Sequence, residues 1–128
     1  MDEPKRILVI EDDPILRELL ADWLLAAGYR VAVAPEGETG IADARSCRPD
    51  LVVTDINMPG VGGAAVISAL ERIYPGLPVI AISAHFGSDR GLTPDEAITL
   101  GAVHTLAKPF RRTELVGAVR RLVGAPAA

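Results

Sequence analysis

Six residues able to do chemistry stand at or just past the ends of short apolar runs. Glu11, Asp12 and Asp13 follow Ile7–Ile10, Asp55 follows Leu51–Thr54, Ser83 follows Val79–Ile82, and Lys108, with Pro109 behind it, follows Val103–Leu106. Two carboxylates about 4 Å apart repel by roughly 4 kcal/mol at an effective dielectric of 20, so a crowd of acids needs compensation. A hard divalent cation provides it, and Mg²⁺ typically takes one or two carboxylates together with waters and phosphate oxygens. The acids at 11 to 13 therefore read as a magnesium seat, with an ammonium and a hydroxyl available to stabilise phosphoryl oxygens. Taken singly, each residue has a structural alternative. Asp13 suits an N-cap ahead of Pro14, Asp55 a turn before Met58-Pro59-Gly60, Ser83 a satisfied strand end and Lys108 a solvated loop. The helix-cap account explains one acid, Asp13, and leaves its two neighbours unexplained.

The site exists only if those positions share one edge of the molecule. Continuous apolar runs of four or five residues, Ile7–Ile10, Val31–Ala34, Leu51–Thr54, Val79–Ile82 and Val103–Leu106, have the pattern of parallel strands covered on both faces. Between them, Ile15, Leu16, Leu19, Leu20, Trp23 and Leu24 recur at helical spacing, with Gly28 as a C-terminal stop. Further helices are predicted over Glu36–Ser46, Gly63–Tyr74, Pro94–Leu100 and Arg112–Val123, the last burying Leu115, Val116, Val119, Leu122 and Val123. Strict β-α alternation requires right-handed crossovers and a doubly wound α/β sheet, which binds ligands beyond the carboxyl ends of its strands. The expectation is one domain over residues 1–128, with a core over about 5–123 and a frayed tail at 124–128.

The blocks ILVIEDDPILRELL, LVVTDINMPG, PVIAISA and GAVHTLAKPF, in that order, resemble the successive blocks of a bacterial two-component response-regulator receiver domain. The resemblance covers about residues 5 to 123. It implies a CheY-like, flavodoxin-like fold of five parallel strands in the order 2-1-3-4-5 with five helices. It also implies Mg²⁺-dependent phosphoryl transfer from the phosphohistidine of a sensor histidine kinase or phosphotransfer protein to Asp55. By position, Glu11, Asp12, Asp55 and the backbone carbonyl of Asn57 would hold the metal, Asp12 more closely than Glu11, with Asp13 in support. Ser83 and Lys108 would contact the phosphoryl group, and a cis Lys108–Pro109 bond would aim Lys108 inward. Output would run to a downstream protein effector, or to a homodimer, through the face of helix four, strand five and helix five. The protein would be a signalling switch rather than an enzyme. Two departures bear on that output. Thr105 stands where the family usually carries Tyr or Phe, and the loop AHFGSDRGLTP runs long, so helix four is expected to be short, mobile or displaced. A pseudo-receiver that docks partners without phosphorylation is the alternative reading, favoured by Thr105 and opposed by the intact acids, hydroxyl and lysine.

Composition excludes other classes. The net charge of −4 argues against a binder of the nucleic-acid backbone. The apolar runs fall far short of the roughly 20 residues of a membrane span. The lone Cys47 and the absence of an apolar leader after MDEPKR favour the cytoplasm. Gly60, Gly62 and Ala65 fit a loose G-x-G-x-x-A dinucleotide pattern, but no acid follows at the spacing that ribose recognition requires. An aspartyl phosphatase would need Asp at position 11. His85 and His104 are isolated and receive no role, and Arg111, Arg112, Arg120 and Arg121 read as a solvated face.

Overall fold

The computed structural model describes residues 4–56, 62–83 and 94–126. Its elements run β1 (Arg6–Ile10), α1 (Pro14–Ala26), β2 (Arg30–Ala34), α2 (Gly37–Ser46), β3 (Leu51–Asp55), α3 (Gly63–Ile73), β4 (Val79–Ser83), α4 (Pro94–Leu100), β5 (His104–Ala107) and α5 (Arg112–Val123). The five strands are parallel and ordered β2-β1-β3-β4-β5. Alternation along each strand divides the core into two halves. Ile7, Val9, Val53, Ile80 and Ile82 pack with Leu20 and Leu24 of α1 and Leu115 and Val119 of α5. On the opposite face Leu8, Ile10, Val52, Val79 and Ala81 pack with Ala44 of α2, Val66, Ile67 and Leu70 of α3, and Ala97 of α4. Burial on both faces is why these strands are uniformly apolar in sequence.

Three expectations need correction. Strand five begins at His104, not Val103, because Val103 belongs to the turn after Gly101, which has φ +128°, and it is half exposed. The apolar stripe of α1 is wider than its buried face: Leu20 and Leu24 are buried and Leu16 and Trp23 partly so, but Ile15 is 78% exposed and Leu19 is exposed. In α5, Leu122 likewise points to solvent. A sheet face touches one side of a helical cylinder, and the apolar stripe of α1 extends past that side, so apolar surface is left beside the strand tips. Just after α5 the chain touches the turn between α1 and β2. The Tyr29 hydroxyl donates to the Gly124 carbonyl at 2.8 Å, and the Pro126 ring packs against Gly28. Helix α4 is short, at seven residues. The loop before it lies largely outside the described residues.

The start of α3 is locked to the end of β3. The Gly63 N–H donates to the Ile56 carbonyl at 3.3 Å, and a Cβ at Gly63 would overlap Ile56 Cβ and Cα. Backbone gives way less readily than a side-chain tip, so Gly63→Ala is expected to cost about 3 kcal/mol, the upper end for overpacking. Chemical denaturation measures this directly, and a loss under about 1 kcal/mol would mean that the contact relaxes freely.

Candidate functional site at the carboxyl ends of the strands

Each strand delivers its polar residue where the apolar run ends. Beyond Ile10 the chain turns into α1, and Asp13 caps that helix by accepting from the Ile15 N–H at 3.0 Å ahead of Pro14. One of the three acids is thereby assigned to helix initiation, as its spacing from Pro14 suggested. Glu11 folds back into the protein and is fully buried, with its Oε2 accepting from the Asp13 N–H at 3.0 Å. Asp12 stays exposed. Asp55, the last residue of β3, is only 3% exposed, and buried Ser83 closes β4 alongside it. The Lys108 N–H donates to the Ser83 carbonyl at 2.9 Å, which fixes the chain after β5 on the same rim.

Lys108 Nζ lies 2.6 Å from Asp55 Oδ2 and 3.0 Å from Glu11 Oε1. The Lys108–Pro109 bond is cis. Phe110 behind it meets Trp23 of α1 edge to face, with ring centroids 6.4 Å apart, which ties this connection to α1. Glu11, Asp12 and Asp55 each place one carboxylate oxygen within 4.8 Å of the others. The side chains of residues 11, 12, 55 and 108 converge here and Ser83 ends the neighbouring strand, whereas Asn57 lies outside the described residues. His85 is also outside them. His104 sits on β5, away from the acids, and burial followed by the nearby Arg121 charge holds its pKa below the usual histidine value.

The electrostatics show an acid cluster that one lysine does not neutralise. Burial pushes the Glu11 pKa up to about 7. The Asp13 N–H opposes that rise, the Asp55 charge adds to it, and Lys108 works against it. Burial alone would lower the Lys108 pKa, but hydrogen bonds and charge from Asp55 and Glu11 outweigh it and hold the ammonium above its ordinary value. Glu11 Oε1 is buried, and its partner among the described residues is the Lys108 ammonium, 3.0 Å away and shared with Asp55. Three convergent carboxylates that share one ammonium fit a hard, oxygen-seeking divalent cation. The group can therefore bind Mg²⁺.

One contributor escaped the sequence reading. Arg17, in the first turns of α1, donates from Nη1 to the Glu11 carbonyl at 3.0 Å and reaches the Asp12 carbonyl at 3.5 Å. It braces the loop that carries both acids. Its one sequence signal is its place in the first turns of the helix that follows them.

A family model described as the response regulator receiver domain matches residues 7–120. The chain belongs to that family. Receivers are phosphoacceptor signalling switches, and the acid cluster is equipped for that role. The transcriptional regulatory protein PrrA of Mycobacterium tuberculosis is 37% identical over 118 residues, which cover 92% of this chain and 49% of the relative. The chain spans about half or less of the length of such curated relatives. Among solved structures, the receiver domain of NtrX from Brucella abortus superposes with a TM-score of 0.84 at 31% identity, covering 91% of this chain and 97% of that one. The receiver domain of sensor histidine kinase PA1611 from Pseudomonas aeruginosa, which holds a magnesium ion in its active-site cleft, gives a TM-score of 0.82 at 28% identity over 94% and 98% of the two chains.

Proposed function

We propose that Asp55 of this receiver accepts a phosphoryl group from the phosphohistidine of a sensor histidine kinase or phosphotransfer protein in the cytoplasm. Mg²⁺ would be held by Glu11, Asp12, Asp55 and the backbone carbonyl of Asn57. The observation that carries the proposal is the Lys108 ammonium, 2.6 Å from the Asp55 carboxylate at a rim where three carboxylates converge. Among the described residues, no helix is long and apolar enough to cross a membrane, in keeping with that compartment.

The residues divide the work. An Asp55 carboxylate oxygen attacks phosphorus as the phosphorus–nitrogen bond of the donor breaks, and the electron pair of that bond leaves on the imidazole. Lys108, already at the carboxylate, donates to phosphoryl oxygens where charge accumulates, and the Ser83 hydroxyl is a second donor from the adjoining strand. Bound Mg²⁺ supplies positive charge to those oxygens and relieves the repulsion among the acids. Burial of Asp55 and Glu11 keeps the surrounding dielectric low, which strengthens each of these interactions. The readout face would be α4, β5 and α5, where Ile98 is 52% and Val103 50% exposed and available to an effector or a second copy. Thr105 on that face is half buried opposite Ala81, so no aromatic ring relays the change there.

The test is direct. The protein is incubated with a small phosphodonor and Mg²⁺, and intact mass together with fragmentation is expected to show one phosphoryl group on Asp55. An unmodified protein would sink the proposal and leave the pseudo-receiver reading. A protein donor adds one requirement, since its histidine must reach a buried carboxylate. Beside Lys108, Ile15, Leu16, Leu19, Trp23 and Phe110 line an apolar hollow of about 540 Å³. Because Ile15 is already 78% exposed, Ile15→Gln leaves folding unchanged. It is expected to slow transfer from the kinase roughly tenfold, the effect of about 1.4 kcal/mol at an interface. The rate with the small phosphodonor should stay at wild type, and equal slowing with both donors would contradict this use of the hollow.

A further inference from the structure

The opposite end of the sheet carries the reverse charge pattern. Arg6 and Arg30 begin β1 and β2 and are direct partners in the parallel register. Their side chains therefore leave the same face of strands about 4.8 Å apart, and like charges so placed are destabilising unless compensated. Lys5 and Arg48 border the same hollow, whose volume is about 510 Å³. Among the described residues its one acid, Asp50, is occupied, with Oδ2 accepting from the Arg6 backbone N–H at 2.8 Å. Among the described residues Lys5, Arg6 and Arg48 form no ion pair. Arg30 has an interaction of its own, and Arg48 lies 5.2 Å from the centre of the Tyr74 ring. Arg6 Nε is buried without a hydrogen-bond partner. This concentration of cations occurs in a chain of net charge −4, so it is not part of a general basicity.

We infer that this hollow binds a small polyanion bearing adjacent phosphate or carboxylate groups. The geometry repeats, with signs reversed, the logic of the acid cluster: like charges are held together by the fold with too little opposite charge among the described residues around them. Its volume lies within the range of small-ligand sites. Among the described residues no aromatic or large aliphatic side chain lines it, so these residues offer neither the anchors of a protein interface nor platforms for stacking bases. A guanidinium pair suits two neighbouring oxyanion groups, which it can bind by charge-assisted hydrogen bonds. The inference does not rest on the chemistry of Asp55.

The experiment is an amide NMR titration of the whole chain, free of divalent cations and at physiological ionic strength, with pyrophosphate in one arm and citrate in the other. Because Asp2 and Glu3 precede Lys5 in sequence and could compete, both wild type and the Asp2→Asn/Glu3→Gln variant are titrated. The expected result is saturable shifts at residues 5, 6, 30, 48 and 50 and none at 11 or 55, in at least one background. Tighter pyrophosphate binding assigns the site to phosphates, and tighter citrate binding to carboxylates. Arg48→Gln, at an exposed position, is expected to weaken binding roughly tenfold with the fold intact, the scale of one charge-assisted hydrogen bond. Shifts that fail to saturate in both backgrounds, or an affinity unchanged by Arg48→Gln, would overturn the inference.

Discussion

Asp55→Asn is expected to remove phosphorylation entirely. Asparagine preserves the shape at a position that is only 3% exposed, so the fold has no new volume to accommodate. What changes is the nucleophile, because an amide oxygen carries no formal charge and forms no stable phosphoryl ester. The substitution also removes one of the three carboxylates whose oxygens lie within 4.8 Å of one another. Ligand charge sets the affinity of a site for hard cations, so Mg²⁺ binding should weaken by roughly tenfold or more. Intact mass after exposure to a phosphodonor reads the first effect and calorimetric Mg²⁺ titration the second. An adduct on Asp55→Asn equal to that on wild type would place the acceptor elsewhere.

Lys108→Met should produce the largest loss of stability at the site. The ammonium lies 2.6 Å from Asp55 and 3.0 Å from Glu11, two acids with almost no contact with water. Without it, buried carboxylates face each other unneutralised, and breaking buried ion pairs typically costs 3–5 kcal/mol. The lysine side chain is 22% exposed, so water screens part of the interaction and the expected loss is about 3 kcal/mol, at the low end of that range. The second expectation separates this cause from lost packing. A divalent cation performs the same neutralisation, so Mg²⁺ should raise the Tm of Lys108→Met more than that of wild type. Thermal unfolding with and without Mg²⁺ measures both. Equal Mg²⁺ increments in the two proteins would show that Lys108 and the cation do not answer the same charge.

Much of this could be read along the chain because strand and site signals coincide. Uniformly apolar runs mark strands buried on both faces, and the polar residues that matter stand where those runs stop, so Asp55 and Ser83 were legible as strand ends. Asp13 was legible as a cap because capping is local: an acceptor and Pro14 are all it requires. Arg17 was not, because its role depends on the loop before α1 folding back so that two carbonyls face its guanidinium. Val103 misled because an apolar residue in a tight turn has the same letter as one in a strand. Ile15 and Leu19 misled because helical spacing defines a stripe, while the neighbours packed against the helix decide how much of that stripe is covered.

The sequence by itself determined the alternation of elements, the sheet they must form, and the edge at which the acids, hydroxyl and lysine gather, since hydrophobic period and chain connectivity are properties of residue order. The tertiary structure alone decided which acid is fully buried, which one stays exposed, and which carboxylates share the lysine. Those outcomes depend on desolvation and on distances of a few ångströms between residues far apart in the chain. The pairing of Arg6 with Arg30 was decided in the same way, because strand register is set by packing across the sheet.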